Sequence, residues 1–245
     1  MIESAANPKL KHLKKLLTSR KYRYQHQSYV IETQHGLAEL LRYSPHHLKQ
    51  LFLRESLPNS PYQSLNQPVF TVKGSVFDTI ATINGTTCLA IVKMNTLSFP
   101  DAVQTILYCD GVQIPANLGA IIRNMVAFNC NALVLSNESC DPYHPESVRA
   151  AAGTLIHLPI QRLNFNELNT RYPNLSYYAL AANRGQSIYT HSIKMPAIIV
   201  VGAEKGLSPT LTDQLSEKNY RHIPISDRVE SLNVAVSVGI VLAAI

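Results

Sequence analysis

The chain has 245 residues, 46% hydrophobic and 16% charged, enough for one large or two small domains with a sizeable core. No apolar run reaches the roughly eighteen residues of a membrane span, and the polar, basic start lacks the apolar region of a secretory leader. Residues 1–54 hold ten Lys/Arg against three Asp/Glu, while 55–245 hold twelve against thirteen, so a basic arm precedes a neutral body and predicts a phosphate-bearing partner.

The first predicted element is one basic helix within residues 4–24, opened by Asn7 and Pro8. Leu10, Leu13, Leu16 and Leu17 make its apolar stripe. Lys9, Lys11, Lys14, Lys15, Arg20, Lys21 and Arg23 lie largely off that stripe and are candidate RNA contacts. Tyr22 and Tyr24 interleave with them, which suits base stacking. A solvated basic helix without a partner is the plainer alternative. Then come a strand at 29–32, a helix at 36–43, a strand at 48–53 and a loop at 55–68. A strand at 69–72, a helix at 75–82 and a strand at 88–92 complete a small α/β unit, with a linker at 94–100.

From residue 102 strands and helices alternate. Strands are expected at 105–109, 132–135, 155–158, 177–182, 198–201 and 222–225. Helices are expected at 117–128, 145–151, 165–172, 208–215 and 231–245. That alternation predicts a mostly parallel sheet covered on both faces. The expected division is a domain at 1–97 and another at 98–245. The four cysteines have no C-x-x-C spacing, and the histidines have no ligand spacing, so reduced thiols and no metal are expected.

Three polar loops follow apolar strands and lead into helices. The first runs from Asp110 through Asn117, expected to cap its helix, toward Arg123. An Arg near a helix start opposes the dipole, and that misfit points to function. The second carries Gly202 and Gly206 around Glu204 at the end of an apolar strand, where a backbone can approach a ligand. No G-x-G-x-x-G or P-loop occurs. The third runs from Ile223 through Pro224 and Ile225 to Glu230, Ser231, Leu232 and Asn233. The three are read as converging on one pocket.

These loops resemble the three motifs of the SpoU (TrmH) family of RNA ribose methyltransferases, part of the knotted SPOUT superfamily. The first motif is similar to Asn117-Leu118-Gly119-Ala120-Ile121-Ile122-Arg123, the second to Gly202-Ala203-Glu204-Lys205-Gly206-Leu207. The third is similar to Ile223-Pro224-Ile225 followed by Glu230-Ser231-Leu232-Asn233. Residues 148–155 also look like a family segment, and the opening of the chain resembles the ribosomal-protein-like substrate-binding domain of the ribosomal RNA branch.

The resemblance implies a parallel-sheet domain with a trefoil knot, a small N-terminal RNA-binding domain, and a cytoplasmic homodimer completing its site across the interface. It implies S-adenosylmethionine held by Gly202, Ile223 and Leu232, with Ile225 and Ala181 lining the pocket. Arg123 is the leading catalytic residue; it stays protonated, so binding a phosphate or a developing alkoxide suits it better than acting as the base. Asn117, Glu204, Ser231 and Asn233 would orient Arg123, the ribose and the loops. The implied reaction is 2′-O-methylation of ribosomal RNA, of the large subunit first. A transfer-RNA ribose methyltransferase and a non-catalytic RNA-binding protein of the same fold are the rivals. One departure is Ile114-Pro115, where the family often has Asp-Pro before the motif Asn, so a loop-anchoring carboxylate is missing.

Overall fold

In the computed structural model, which describes residues 1–57, 62, 64–94, 97–203 and 205–245, Ser19 breaks the basic N-terminal segment into two helices. Helix α1 (Pro8–Thr18) is capped by Asn7, whose side chain accepts from the Lys9 N–H. Ser19 is extended, and its hydroxyl accepts from the Tyr22 N–H to open α2 (Arg20–His26). The single expected helix is therefore two, because a Ser at the junction offers the second helix its own cap.

The chain divides into two compact units, the first made of residues 1–95 and 141–156 and the second of 96–140 and 157–245. The first unit holds a four-stranded sheet in the order β1 (Ser28–Ile31), β4 (Cys88–Lys93), β2 (Leu48–Arg54), β3 (Val69–Val72). β4 runs antiparallel to β1 and β2, and β3 runs parallel to β2. Helices α3 (Gln34–Tyr43), α4 (Gly74–Phe77) and α6 (Pro145–Ala150) belong to this unit. Leu10, Leu13, Leu16 and Leu17 from α1 pack with Phe52, Phe77 and Ile91 in its core, as the apolar stripe requires. The expected loop at 55–68 and linker at 94–100 fall partly outside the described residues.

Arg23 corrects the reading of the basic segment. It is 2% exposed. Its Nε donates to Asp141 Oδ2 at 2.8 Å and its Nη2 lies 2.7 Å from the same oxygen. Its Nη1 donates to the Leu16 carbonyl at 2.8 Å. Asp141 also accepts from the Tyr24 hydroxyl and the Tyr143 N–H. Arg23 therefore fastens residues 141–156 to the helix pair and is not presented to RNA. Lys9, Lys11, Lys14, Lys15, Arg20 and Lys21 are exposed, as a basic face needs.

The second unit is built on a seven-stranded sheet in the order β7-β6-β5-β10-β8-β11-β9, every adjacent pair parallel. The strands are β5 (Thr105–Asp110), β6 (Ala132–Leu135), β7 (Ile160–Arg162), β8 (Ser176–Leu180), β9 (Gln186–Ser187), β10 (Ala197–Gly202) and β11 (Tyr220–His222). β10 and β5, apolar and buried along their lengths, are central. Helices α5 (Pro115–Ala127) and α9 (Val234–Ala243) pack together, while α7 (Phe165–Arg171) and α8 (Pro209–Thr212) complete this unit's helices.

Three strands differ from expectation, the short β9 being one that was not expected at all. Residues 154–157 form a 3-10 turn, and the strand lies just beyond Pro159. Gly153 adopts a φ of +89°, and the Thr154 hydroxyl bonds back to the Ala151 carbonyl, so the chain turns where an apolar run looked extended. The strand expected at 222–225 is instead the short β11, which starts at Tyr220 and ends at His222, two residues before Pro224, which cannot donate to a ladder. Cys88 and Cys109 are buried free thiols, and burial pushes Cys88 up to about 11, so it stays protonated at neutral pH.

Candidate active site

The carboxyl ends of β8, β10 and β11 open into a cavity of about 310 Å³ in the second unit. Its wall includes Ala181, Gly202, Ile223, Ile225 and Leu232, the five residues expected to hold a cofactor. Asn117, Ser231 and Asn233 line the same cavity. Glu204 lies outside the described residues.

Gly202 ends β10, and the chain turns back at once. The Gly206 N–H donates to the Ala203 carbonyl at 2.9 Å, with Gly206 at a φ of +90°. A Cβ on Gly202 would lie 2.4 Å from the Gly206 carbonyl carbon and oxygen and 2.7 Å from the Leu207 nitrogen. Only a residue without a side chain fits this backbone approach.

Asn233 joins two of the loops. Its side-chain oxygen accepts from the N–H groups of Ala235 and Val236, capping α9. Its Nδ2 donates to Asn117 Oδ1 at 2.9 Å. Asn117 itself is not the cap expected of it. Pro115 starts α5 earlier, with its fixed φ and missing donor at a position that needs neither freedom nor N–H, so Asn117 sits inside the first turn and faces the cavity.

The absent Asp-Pro carboxylate has a counterpart that the sequence reading passed over. Asp110, 7% exposed at the end of β5, accepts from the Ser208 N–H at 2.7 Å and so anchors the second loop to the first. The sequence signal that points to it is a carboxylate closing an otherwise apolar strand, and in the structure it stands in register beside Gly202. Burial and then the Asp110 charge push the Tyr108 hydroxyl upward, keeping it neutral.

Arg123 stands apart. It is exposed on α5, does not line the cavity, and its side chain has no hydrogen bond or ion pair among the described residues. The unit gathers three of the five expected catalytic side chains at one cavity and leaves Arg123 outside it. Among the described residues, no group of three or more His, Cys, Asp or Glu could hold a metal ion.

A parallel sheet with a glycine-walled cavity at the carboxyl ends of β8, β10 and β11 defines an α/β ligand-binding unit. Residues 104–243 match the model of the SpoU rRNA Methylase family. The chain belongs to that family.

Over 98% of its length it is 27% identical to the 23S rRNA (guanosine(2553)-2′-O)-methyltransferase RlmP of Bacillus subtilis, of which it covers 97%. Over 99% of its length it is 28% identical to the ribosomal RNA small subunit methyltransferase G 2 of Syntrophobacter fumaroxidans, but spans only 48% of that protein. Among solved structures, the AdoMet-bound rRNA methyltransferase from Sinorhizobium meliloti superposes with a TM-score of 0.84 at 24% identity, covering 99% of this chain and 95% of that one. That likeness shows the shared α/β fold.

Proposed function

We propose that this chain methylates a ribose 2′-hydroxyl of ribosomal RNA with S-adenosylmethionine as donor. It acts as an RNA methyltransferase of the cytoplasm, and the large-subunit RNA is the first substrate class to test because RlmP carries that name. The observation that supports this most is the convergence of Asn117, Gly202, Ser231 and Asn233 on one cavity beside the apolar Ile223, Ile225 and Leu232.

The cavity suits the cofactor: an apolar wall for a flat base, and at Gly202 a bare backbone that the close approach of Gly206 and Leu207 keeps free of any side chain. Gly202, Ile223 and Leu232 would hold its adenosine part, with Ile225 and Ala181 beside it. When bound there, it supplies a methyl group on an electrophilic sulfonium. Asn117, fixed by Asn233, orients the ribose, and Ser231 steadies its hydroxyl. Glu204 is assigned the same positioning task on Arg123. As the hydroxyl loses its proton to solvent, the guanidinium of Arg123 stabilises the alkoxide and holds the neighbouring phosphate.

Arg123 lies outside the cavity of its own chain, and a homodimer answers that. Helix α9 has Ser237 as its sole polar residue, yet Val236 is 50% exposed. Such a helix favours cover by a second copy, whose Arg123 would reach this site. The loops at 202–208 and 223–233 are read as the segments of a trefoil knot, and residues 1–97 as the part that grips RNA. No helix among the described residues is long and apolar enough to cross a membrane.

Labelled methyl transfer to separated large ribosomal, small ribosomal and transfer RNA pools tests the reading. Label in ribosomal RNA, blocked by 2′-deoxy substitution at the target, is expected. Label in transfer RNA alone would favour the rival branch, and cofactor binding with no label in any pool would count against catalysis. Gly202→Ala should weaken S-adenosylmethionine binding at least about tenfold by calorimetry, since its Cβ would meet backbone rather than a movable side chain. Native affinity in that variant would mean that the cavity is not the cofactor site.

A further inference from the structure

The first unit gathers positive charge at one place where the sequence suggested only a diffuse basic face. His12 on α1 bonds through Nδ1 to the Tyr22 hydroxyl at 2.9 Å. The His26 ring lies 5.0 Å from the His12 ring and 4.1 Å from that of Tyr22, centroid to centroid. Lys15 sits over Tyr22, its Nζ 5.4 Å from the ring centre. Lys49 from β2 is held in place rather than left to wander: its Nζ donates to Ser28 Oγ at 2.6 Å and to the His26 carbonyl at 3.3 Å.

These groups repel one another. His12 is held below its ordinary value by partial burial, then by His26, Lys49 and Lys15. Lys49 is likewise lowered by burial and by Lys93 on β4. The groups facing His12 are thus Lys15 from α1, Tyr22 and His26 from α2, and Lys49 from β2, with Lys93 behind it. None of the lysines forms an ion pair among the described residues. Lys15, Lys49, Lys93 and His26 are exposed, so ligand can reach them. An exposed lysine ordinarily extends away from like charge. Here two hydrogen bonds keep Lys49 against it, and a bound anion would offset the gathered charge.

We propose that His12, His26 and Lys49, flanked by Lys15 and Lys93, form a phosphate site for the RNA strand, and that His12 takes up a proton from solvent when a phosphodiester binds there. This rests on the reading of the chain as an RNA methyltransferase and names where its first unit holds the substrate. RNA is favoured as the anion because Tyr22 and His26 add ring faces beside the charges, which suit a base next to the phosphate. Tyr22 can donate to the neutral His12 ring and accept from the charged one, so their bond survives the proton's arrival.

The sign follows from the charges. A phosphate beside His12 offsets the lysines and raises its pKa in the complex, so RNA binds more tightly as pH falls. With a fluorescein-labelled oligouridylate at fixed salt, the affinity of the full chain should rise about three- to sixfold from pH 8 to pH 6 and approach tenfold only below the pKa of the free ring, the full effect of one unit of pKa change. His12→Gln should remove most of that rise. Lys49→Gln should weaken binding at every pH and reduce the salt slope by about one. The His12 ring resonance should titrate at higher pH with the oligonucleotide than without it, a direct reading of the proton.

A pH-independent native affinity, a full rise kept by His12→Gln, or an unmoved His12 titration would each overturn the proposal. If the same protein still methylates ribosomal RNA, only this site is wrong. If the linkage is present but no RNA pool takes methyl, the phosphate site stands and the enzymatic reading falls.

Discussion

Arg23→Ala should destabilise the first unit by about 3–5 kcal/mol, the range for removing one partner of a buried ion pair. The variant leaves the Asp141 carboxylate buried with only the Tyr24 hydroxyl and the Tyr143 N–H to satisfy it. It also strands the Leu16 carbonyl that the guanidinium Nη1 reaches. Arg23→Lys should recover only part of the loss. A single ammonium cannot serve Asp141 and the adjacent Leu16 and Leu17 carbonyls as the planar guanidinium does. Chemical denaturation followed by the ring resonances of Tyr24, Tyr29 and Tyr143, three of this unit's tyrosines, would measure the effect. A loss under about 1 kcal/mol, the scale of exposed ion pairs, would mean that the pair is hydrated in solution.

Arg123→Ala should lower methyl transfer at least about a hundredfold while leaving S-adenosylmethionine affinity within about twofold. The first figure is the scale for deleting one donor to a developing oxyanion. The second follows from position, since Arg123 does not line the cavity that would hold the cofactor. Single-turnover transfer and calorimetry on the same preparation separate the two. Near-normal turnover would remove Arg123 from the chemistry. Loss of cofactor affinity in step with turnover would give it a binding role instead. Mixing this variant with a Gly202→Ala chain adds a sharper readout. If each site borrows Arg123 from a second copy, mixed dimers regain one working site, and at limiting cofactor the mixture exceeds the activity of either parent.

The positions of most strands and helices were legible because their signals are local. Apolar runs at 105–109 and 198–201 read as buried strands, and the glycines after the second marked a close backbone approach. What escaped depends on partners distant in sequence or on competition between neighbouring residues. Arg23 looked like one more phosphate ligand, because the carboxylate that buries it comes 118 residues later. Asp110 was overlooked for the same reason: its Ser208 partner lies 98 residues on. Asn117 was read as a cap because Asn favours caps, but Pro115 holds the first-turn position and wins. The run at 155–158 has strand-like composition, and the turn at Gly153 overrides it. Lys49 gave no sign at all. It stands in a strand, and only the fold brings it to His12 and His26 of the two basic helices.

Residues 141–156 complete the first unit from the middle of the second unit's sequence. This has a consequence for synthesis. When the ribosome has delivered residues 1–95, Arg23 is still without its counter-charge, because Asp141 has yet to be made. The first unit reaches its final form only after β5, α5 and β6 of the other have already been translated. The nascent chain therefore matures in an interleaved order rather than one unit after the other. Exchanging the amino-terminal unit between relatives would likewise require two segments to be transplanted together. A graft of the first alone would carry a buried guanidinium with nothing to neutralise it.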